Sequence, residues 1–556
     1  MSQPAGQTSA PPRPKAGGTT PSSGEARRWA PWAEWLAPLW LVLFPLLTRP
    51  FSGPYDLAYK SDPAYPYLFN ALNILAGQMP GHTDHPGTPL QMLAGGVVWL
   101  TWAVRRLAGQ AGDLAAAVLA DPETYCLAIN FTLTVLAALA WKLLARVIRR
   151  ESGQPWLGLV AQLAFLGSQT LLLTLTQIRT ETLLLSLAPL YAAAWWSLTT
   201  GAGREAARPW ARALWLGALA GLAAATKITS APLWAFFLLL PGWGPRLAAG
   251  GAAVGAFVLG TAPIWPQYPR MWTWFTDILT HSGRYGAGAG LLPSLGELAA
   301  NLGAILRAEP LLPVTLGLAA AALILTWQRE GFRRAWQGDG RALALGLVVV
   351  GFQILLVMKH YGLRYLVPAL LICPPILALA WRTAAPSLAR AGANLRARAG
   401  LGLAALVLLA GSALWAWYDN ELSLAQTYQA QQRLEELAQR QGCRIIPYYV
   451  YSGREFALYL GDRYSRFTQD ALLARMYPDY REFNAWRGEF TRFGGAVDPG
   501  EMRAWLARGE KLCLLGSYDF PAPPGMDLEP LGREGMMKLW RITSVGPARR
   551  PAPSQK

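Results

Sequence analysis

The residues best suited to chemistry are concentrated between positions 55 and 91. Three carboxylates lie there, Asp56, Asp62 and Asp84, in an otherwise largely apolar neighbourhood. A carboxylate held beside a reacting hydroxyl serves as a general base. Asp62 is our candidate catalytic residue among the three. The Asp62-Pro63 pair also has a purely structural reading, because Asp at an N-cap followed by Pro at the first helical position is a common helix start.

A turn follows within the same stretch. His82, Asp84 and His85 are three potential metal ligands within four residues, but a fourth ligand is missing and the Pro86-Gly87 context is typical of a turn. We therefore favour a turn that hydrogen-bonds a sugar or a phosphate over a metal site. Asp84 and His85 are predicted to bind substrate. No metal ligand and no cofactor is assigned; a divalent metal stays open, although nothing in the sequence indicates one.

Charged residues also occur at several predicted outer ends of apolar segments. Lys and Arg routinely extend from helix ends towards the membrane surface, so each cation alone has a bland explanation. Basic residues should be depleted on the outer side of the membrane, so several cations there are harder to explain in this way. A cationic cluster beside apolar walls suits a phosphate carried on a lipid. The further candidates for substrate binding are Arg179, Glu181, Lys227, Lys359, His360, Arg364 and Tyr365.

The elements that must position these residues are membrane helices. Hydrophobic residues make up 53% of the 556 positions and charged residues 15%, against about 25% charged in soluble domains. Many apolar runs approach the ~20 residues that span a bilayer, which predicts a mainly α, polytopic protein with about eleven spans. The predicted spans are 34–49, 124–145, 155–176, 181–199, two short helices that meet near Lys227, 246–266, and four more that end near Arg329, Lys359, Arg382 and Tyr418.

The charge distribution gives the orientation. Residues 419–556 hold 19 Lys and Arg against 17 Asp and Glu, so the net charge of +17 arises almost wholly before that tail. The excess lies in short loops, as expected of cytoplasmic loops rather than of a nucleic-acid surface. If the N-terminus is cytoplasmic, all the strongly basic loops lie in the cytoplasm only when residues 88–104 do not cross the membrane. We therefore predict that 50–123 is a first outer loop with membrane-parallel helices.

The two ends of the chain differ from the middle. Residues 1–30 are rich in Pro, Gly, Ser and Thr, and we expect a disordered cytoplasmic tail there, with another at 546–556. Residues 31–418 form the predicted membrane domain and 419–545 a small extracytoplasmic α/β domain, because strand-like runs alternate with helical patterns. Cys443 and Cys513 could pair in an oxidising compartment. The predicted strands are 444–451, 511–515 and 536–543, and the predicted helices are 454–460, 470–476 and 500–507.

These motifs resemble a known superfamily. Asp62-x-x-Tyr65, then Gly77 and Asp84-His85-Pro86-Gly87-Thr88-Pro89, is similar to the first outer loop of GT-C-fold glycosyltransferases, which include protein O-mannosyltransferases and aminoarabinose transferases. Lys359-His360-x-x-x-Arg364-Tyr365-Leu366-x-Pro368 resembles their Lys…Arg-Tyr-x-x-Pro segment. The likeness covers residues 34–418. Two departures are Ser61-Asp62-Pro63 where an Asp-Glu pair is usual, and His-Pro-Gly-Thr-Pro where His-Pro-Pro is usual.

The resemblance implies an integral protein of the bacterial inner (plasma) membrane that moves a sugar from a polyprenyl-phosphate carrier to an acceptor, with inversion. Asp62 would be the base, with Asp56 as the reserve. Arg364, Lys359 and Lys227 would hold the phosphate, and Glu181 and Asp84 would bind sugar or acceptor. The donor sugar is not encoded, and a lipid, a glycan or a protein remains open as acceptor. The alternatives are a non-catalytic subunit of envelope-polymer assembly and a transporter, which would carry ionisable residues at mid-membrane on broken helices.

Overall fold

The computed structural model describes most of the chain. It covers residues 34–83, 86–110, 112–199, 209–283, 288, 290–332, 336–390, 394–485, 487–517 and 525–546. The expected disordered tails lie outside this part, apart from residue 546. Most of the described chain is helical, and strands occur in it only after residue 442.

Helices form the N-terminal three quarters of the described chain. In chain order they are α1 (Leu36–Ser52), α2 (Ala58–Leu75), α3 (Thr88–Leu107), α4 (Leu114–Ala120), α5 (Pro122–Ser152), α6 (Pro155–Ala164), α7 (Gln169–Leu175), α8 (Thr180–Trp196), α9 (Pro209–Thr226), α10 (Trp243–Gly260), α11 (Tyr268–Thr280), α12 (Leu295–Ala308), α13 (Leu311–Glu330), α14 (Asp339–Lys359), α15 (Val367–Arg390) and α16 (Leu395–Arg440). The 3-10 segments include Ile228–Leu239 after α9, Ala262–Gln267 between α10 and α11, and Leu363–Leu366 before α15.

Five of the described helices are long and apolar enough to cross a membrane, and seven spans result if each of two bent helix pairs is counted as one. Four predicted spans correspond to helices shorter or less apolar than that, namely α1, α8, α9 and the 3-10 segment after α9. The mainly α, polytopic fold is therefore confirmed. The number of eleven spans stays a prediction.

Two predicted spans are broken by bends. The prediction gave one helix over 155–176, but α6 and α7 meet at an angle of 85°. Ser168 causes the break: its backbone is extended and its hydroxyl caps the amide of Leu171. The carboxylate of Glu309 accepts a further bond from the amide of Thr170, at 2.9 Å. The predicted helix 246–266 ends instead at Gly260, and the chain turns by 80° into α11.

Helix α2 carries the first candidate residue. The backbone at Asp62 is extended (φ −102°, ψ 107°), so that the regular helix starts at Pro63, as the Asp-Pro pattern predicts. One face of the helix is buried, with Tyr65, Leu68 and Phe69 at 1% exposure or less. Gly77 ends this region with φ +69°, a conformation that Gly adopts without strain.

The C-terminal part is an α/β domain, as predicted. Its elements are β1 (Cys443–Tyr448), α17 (Arg454–Tyr464), α18 (Asp470–Met476), β2 (Glu482–Asn484), β3 (Glu489–Arg492), β4 (Gly495–Ala496), α19 (Pro499–Ala507), β5 (Lys511–Ser517), β6 (Met526–Glu534) and β7 (Met537–Val545). They form one mixed sheet in the order β4-β3-β2-β1-β5-β7-β6, in which β1 runs parallel to both β2 and β5. Cys443 and Cys513 form a disulfide between β1 and β5, with a Cα–Cα distance of 5.7 Å.

The α/β domain is joined to the membrane domain in two ways. Helix α16 runs without a break from the last predicted span to Arg440, and its Ala430, Leu434 and Ala438 pack on one face of the sheet. Helix α17 packs on α2, where Gly461 is in close contact with the ring of Phe69. Asn70 and Asn73 of α2 donate hydrogen bonds to carbonyls of residues 464 and 465, at 3.3 and 2.9 Å.

Candidate active site

The centre of the site is a buried ion pair between Glu181 and Lys227. Glu181 lies in the first turn of α8, and Lys227 lies where α9 gives way to a 3-10 segment. Their side chains are 3% and 1% exposed and contact each other directly. Thr180 donates a second hydrogen bond to Glu181, at 2.8 Å. A carboxylate buried in this way is stable only with such partners.

Aromatic and cationic groups from a distant part of the sequence complete this centre. The Nζ atom of Lys227 lies 4.6 Å from the centroid of the Tyr365 ring, on the 3-10 segment before α15. Arg364 lies over the same ring, with its Cζ atom 5.3 Å from the centroid. Both contacts are within cation–π range. Arg364 and Arg179 both lie within electrostatic range of Glu181, and Arg364 is half-buried.

Asp62 faces the same cluster. It lies within electrostatic range of Arg179 and of Tyr67, and its side chain is exposed. The hydroxyl of Tyr67 is hydrogen-bonded to Thr180, beside Glu181, and burial raises the pKa of Tyr67 above its usual range. Tyr67 therefore stays protonated at neutral pH. Asp62 is therefore an accessible carboxylate beside the cations of this cluster.

The predicted turn reaches the cluster by its backbone. Pro86 forms an antiparallel bridge with Lys227, and Gly87 lies so close to Tyr67 and Thr180 that an added Cβ would meet their atoms at 3.1 and 3.3 Å. Gly87 also has φ +73° and occupies the N-cap position of α3. Asp84 and His85 lie outside the described residues.

The side chains of Lys359 and His360 do not contact the Glu181–Lys227 pair. The Nζ atom of Lys359 donates to the carbonyls of Ile278 and Leu279, at 3.0 and 2.6 Å. The ring nitrogens of His360 lie 2.8 and 2.7 Å from the carbonyls of Ile278 and Gly283. Both side chains thus bind the C-terminal turn of α11 and the residues after it. The structure does not bring them to the Glu181–Lys227 pair, although they lie close to Arg364 in sequence.

A second buried pair lies beside the cluster and was missed in the sequence. Lys60 of α2 and Glu421 of α16 are 4.0 Å apart, with side chains 0% and 2% exposed. Burial lowers the pKa of Lys60 to about 7, and Glu421 offsets only part of that effect. Arg179 is within electrostatic range of both groups. Because the partners are 361 positions apart, no local pattern could have indicated the pair.

Asp56, the reserve base, lies at the junction with the α/β domain. Its carbonyl accepts a hydrogen bond from the amide of Gly453 at 3.1 Å, and its charged neighbours are Arg454 and Arg49. Burial raises the pKa of its carboxyl. The surroundings of Asp56 are therefore those of a domain contact, whereas Asp62 faces the cationic cluster.

One donor of the cluster lacks a protein acceptor among the described residues. The Nε atom of Arg179 is buried and has no hydrogen-bond partner among the described residues. Counting Arg179, Lys227 and Arg364 against Asp62 and Glu181, the site carries one net positive charge. Within the described ranges, no group of three or more His, Cys, Asp or Glu residues is placed to hold a metal ion. The arrangement suits an anionic ligand next to a carboxylate base.

Comparison with known proteins gives one likeness. No protein-family model and no curated protein matches this chain. Among solved structures the chain is similar to ArnT from Cupriavidus metallidurans, in a crystal structure bound to undecaprenyl phosphate. The identity is 11%, 90% of this chain and 98% of that chain are covered, and the TM-score is 0.45. At this identity and TM-score, the likeness carries no conclusion about the fold or the activity of this chain.

Proposed function

We propose that this protein is a glycosyltransferase that moves a sugar from a polyprenyl-phosphate carrier to an acceptor at the extracytoplasmic face of the bacterial inner membrane. The observation that carries the proposal is the convergence of Asp62, Arg179, Glu181, Lys227 and Arg364. These residues come from four separate parts of the sequence, and the site they form is cationic with one accessible carboxylate.

In the proposed mechanism, Arg364 and Arg179 hold the phosphate of the carrier. Arg364 is half-buried and therefore reachable, and the unpartnered Nε of Arg179 is a free donor among the described groups. Lys227 is almost fully buried and bound to Glu181. We assign to this pair the positioning of Tyr365 and Arg364, with part of the field that stabilises the leaving phosphate.

Asp62 is the base in this mechanism. It accepts the proton of the acceptor hydroxyl, the hydroxyl oxygen bonds to the anomeric carbon, and the electrons of the broken C–O bond remain on the phosphate of the carrier. Attack from the face opposite to the phosphate inverts the anomeric carbon. Base catalysis of this kind contributes about 10²–10⁴-fold to the rate. The exposure of Asp62 supports the assignment, because an acceptor must reach it.

The test is transfer by the purified full chain in lipid. Polyprenyl-phosphate sugars extracted from bacterial membranes serve as donors, and both donor consumption and product formation are followed by mass spectrometry. We expect consumption of one donor class by the wild type, which would also name the sugar. A chain that neither consumes nor binds any polyprenyl-phosphate sugar would contradict the proposal.

Transport is a second candidate, and one observation favours it. Two helix pairs are sharply bent, and Lys227 lies where a helix breaks. Broken helices with ionisable residues are typical of transporters. The same donors, enclosed in vesicles, separate the two functions: a transporter moves them across the bilayer intact, whereas a transferase cleaves the bond between sugar and phosphate.

A further inference from the structure

Asp62 lies between two segments that the α/β domain binds. Its extended backbone separates a short helical turn, 58–61, from the regular part of α2 that starts at Pro63. The direction of a carboxylate at such a break depends on how the segments on both sides are placed. A catalytic group needs supporting contacts of this kind to keep its geometry.

The segment before the break is bound to the loop that follows β1. The amide of Ala58 donates to the hydroxyl of Ser452 at 3.2 Å. The amide of Gly453 donates to the carbonyl of Asp56 at 3.1 Å. Ser452 is itself fixed, because its amide and its carbonyl are hydrogen-bonded to the side chain of Gln431 on α16, at 2.8 and 2.6 Å. The start of α2 is therefore connected through Ser452 to the helix that supports the sheet.

The helix after the break is bound to the turn between α17 and α18. Asn73 donates to the carbonyl of Ser465 at 2.9 Å and accepts from the hydroxyl of Thr468 at 2.6 Å. Asn70, one turn earlier, donates to the carbonyl of Tyr464 at 3.3 Å. Both asparagines are 0% exposed. Because buried amides cost free energy without hydrogen-bond partners, these contacts fix α2 against the α/β domain.

The turn that carries these partners has a strained backbone. Arg466 and Phe467 have left-handed φ angles of +68° and +58°, which are uncommon for residues with side chains. Asp462 stabilises the turn from inside: its carbonyl accepts from the amide of Phe467 and its carboxylate from the amide of Gln469, both at 2.8 Å. Strain of this kind persists where the surrounding structure fixes it. The turn therefore presents its partners to α2 in one defined position.

The same turn contacts a second segment that leads into the site. The side-chain oxygen of Asn70 accepts from the amides of Gly81 and His82, at 2.6 and 3.2 Å. A Cβ atom added to Gly81 would lie 2.4 Å from the carbonyl oxygen of Tyr464, so the two chains approach each other closely there. This segment continues to Pro86, which forms the bridge to the cluster.

These polar contacts do more than attach the domain. Helix α16 already attaches it, because that helix runs unbroken from the membrane domain to the sheet. The contacts with α2 lie before and after Asp62, and the buried pair Lys60–Glu421 adds a link between α2 and α16 on the side before the break. Their arrangement on both sides of one residue indicates a role in placing that residue.

We propose that the α/β domain positions Asp62 by binding the chain on both of its sides, with Ser452 and Thr468 as positioning residues. Neither lies in the cationic cluster. The regular part of α2 connects Asn73 with the break over about 16 Å, at 1.5 Å per residue, so that a shift at one end reaches the other. A displacement of about 1 Å at a reacting group can lower a rate about 100-fold. The effect on catalysis rests on the proposed function, whereas the positioning of α2 does not.

The first measurement is hydrogen exchange of the full chain in lipid nanodiscs. Ser452→Ala/Thr468→Val removes the two hydroxyls. Thr543→Val/Ser544→Ala is the matched control, since it makes the same two changes in β7, where both hydroxyls bind Asp527. We expect the amides of α2 to exchange at least fivefold faster in the first variant and at the wild-type rate in the control. Exchange of α2 that is the same in the first variant and the wild type, or equally fast in both variants, would overturn the proposal.

The second measurement is single-turnover transfer. We expect a rate at least tenfold lower for Ser452→Ala/Thr468→Val with donor affinity changed less than twofold, and a rate near that of the wild type for Thr468→Ser, which keeps the hydroxyl. On the Asp62→Asn background, the same double variant should lower the residual rate less than twofold, because the group that it positions is already lost. An equal fold loss with and without the Asp62 carboxylate would overturn the positioning role.

The two measurements separate this inference from the proposed function. A wild type that consumes no donor would remove the transferase function, and hydrogen exchange alone would then decide whether the α/β domain positions the Asp62 segment. Donor consumption with α2 exchange unaffected by Ser452→Ala/Thr468→Val would retain the transferase function and remove this inference.

Discussion

Lys227 and Glu181 are 46 positions apart in sequence and form an ion pair with both side chains buried. Removal of one partner from a buried pair leaves an uncompensated charge and costs about 3–5 kcal/mol. We therefore expect Lys227→Met to lower the melting temperature of the purified protein in detergent, and the double variant Lys227→Met/Glu181→Leu to recover most of it without recovering transfer.

The matched control is the exposed pair Arg433–Glu534, whose side chains are 55% and 42% exposed. Arg433→Met should change stability by less than about 1 kcal/mol. If Lys227→Met melted like Arg433→Met, the pair would not be the structural centre of the site.

Arg364 and Lys359 lie five positions apart in sequence, but only Arg364 faces the Glu181–Lys227 pair. Arg364→Ala should weaken the binding of polyprenyl phosphate in nanodiscs at least tenfold, a loss of about 1.4 kcal/mol. Lys359→Ala should change it less than twofold, because its ammonium group is bound to carbonyls of α11. Equal losses in titrations of both variants would contradict this division of roles.

Glu482 should make the α/β domain sensitive to pH. Burial raises the pKa of this carboxyl to about 7 in the folded state, against 4.5 in the unfolded chain. The folded state then binds more protons between pH 4.5 and 7, so that its stability falls as pH rises through that window, by up to about 3 kcal/mol.

Glu482→Gln should remove this pH dependence. Hydrogen exchange of the β2–β3 hairpin, corrected for the intrinsic rate at each pH, measures it. A wild-type hairpin whose protection is the same at pH 5 and pH 8 would show that the carboxyl does not titrate in this way.

The disulfide between Cys443 and Cys513 should stabilise the same domain. It closes a loop of 70 residues between neighbouring parallel strands, and loss of such a bond typically costs about 2–5 kcal/mol. Cys443→Ala/Cys513→Ala should increase protease cleavage after residue 440, and reduction of the wild type should have the same effect. Resistance equal to that of the oxidised wild type would contradict the prediction.

Many secondary-structure elements could be predicted from local sequence patterns. The helix over 470–476 and strands β1, β5 and β7 were predicted to within a few residues, because alternation and turn residues are local signals. Strand β6, with nine residues, was not predicted. The bends at Ser168 and Thr261 were not predicted. Their causes include the contact of Glu309 with Thr170, which is 139 positions away in sequence.

Part of the candidate site could also be predicted from the sequence. Residue type and predicted side of the membrane selected Asp62, Arg179, Glu181, Lys227 and Arg364, which the structure brings together. The same reasoning selected Lys359 and His360, which the structure places on carbonyls of α11 and the residues after it instead of in this cluster. Sequence proximity to Arg364 does not reveal those partners, and their substrate-binding role stays a prediction. Tyr67 and the Lys60–Glu421 pair were missed, because their roles depend on packing.

The most direct test of the account is single-turnover transfer by Asp62→Asn beside the wild type, with Asp56→Asn as the matched control, all in lipid with the donor that the wild type consumes. We predict a rate at least 100-fold lower for Asp62→Asn, with donor affinity unchanged, and a rate near that of the wild type for Asp56→Asn. A wild-type rate in Asp62→Asn, or its loss in Asp56→Asn alone, would contradict the assignment of Asp62 as the base.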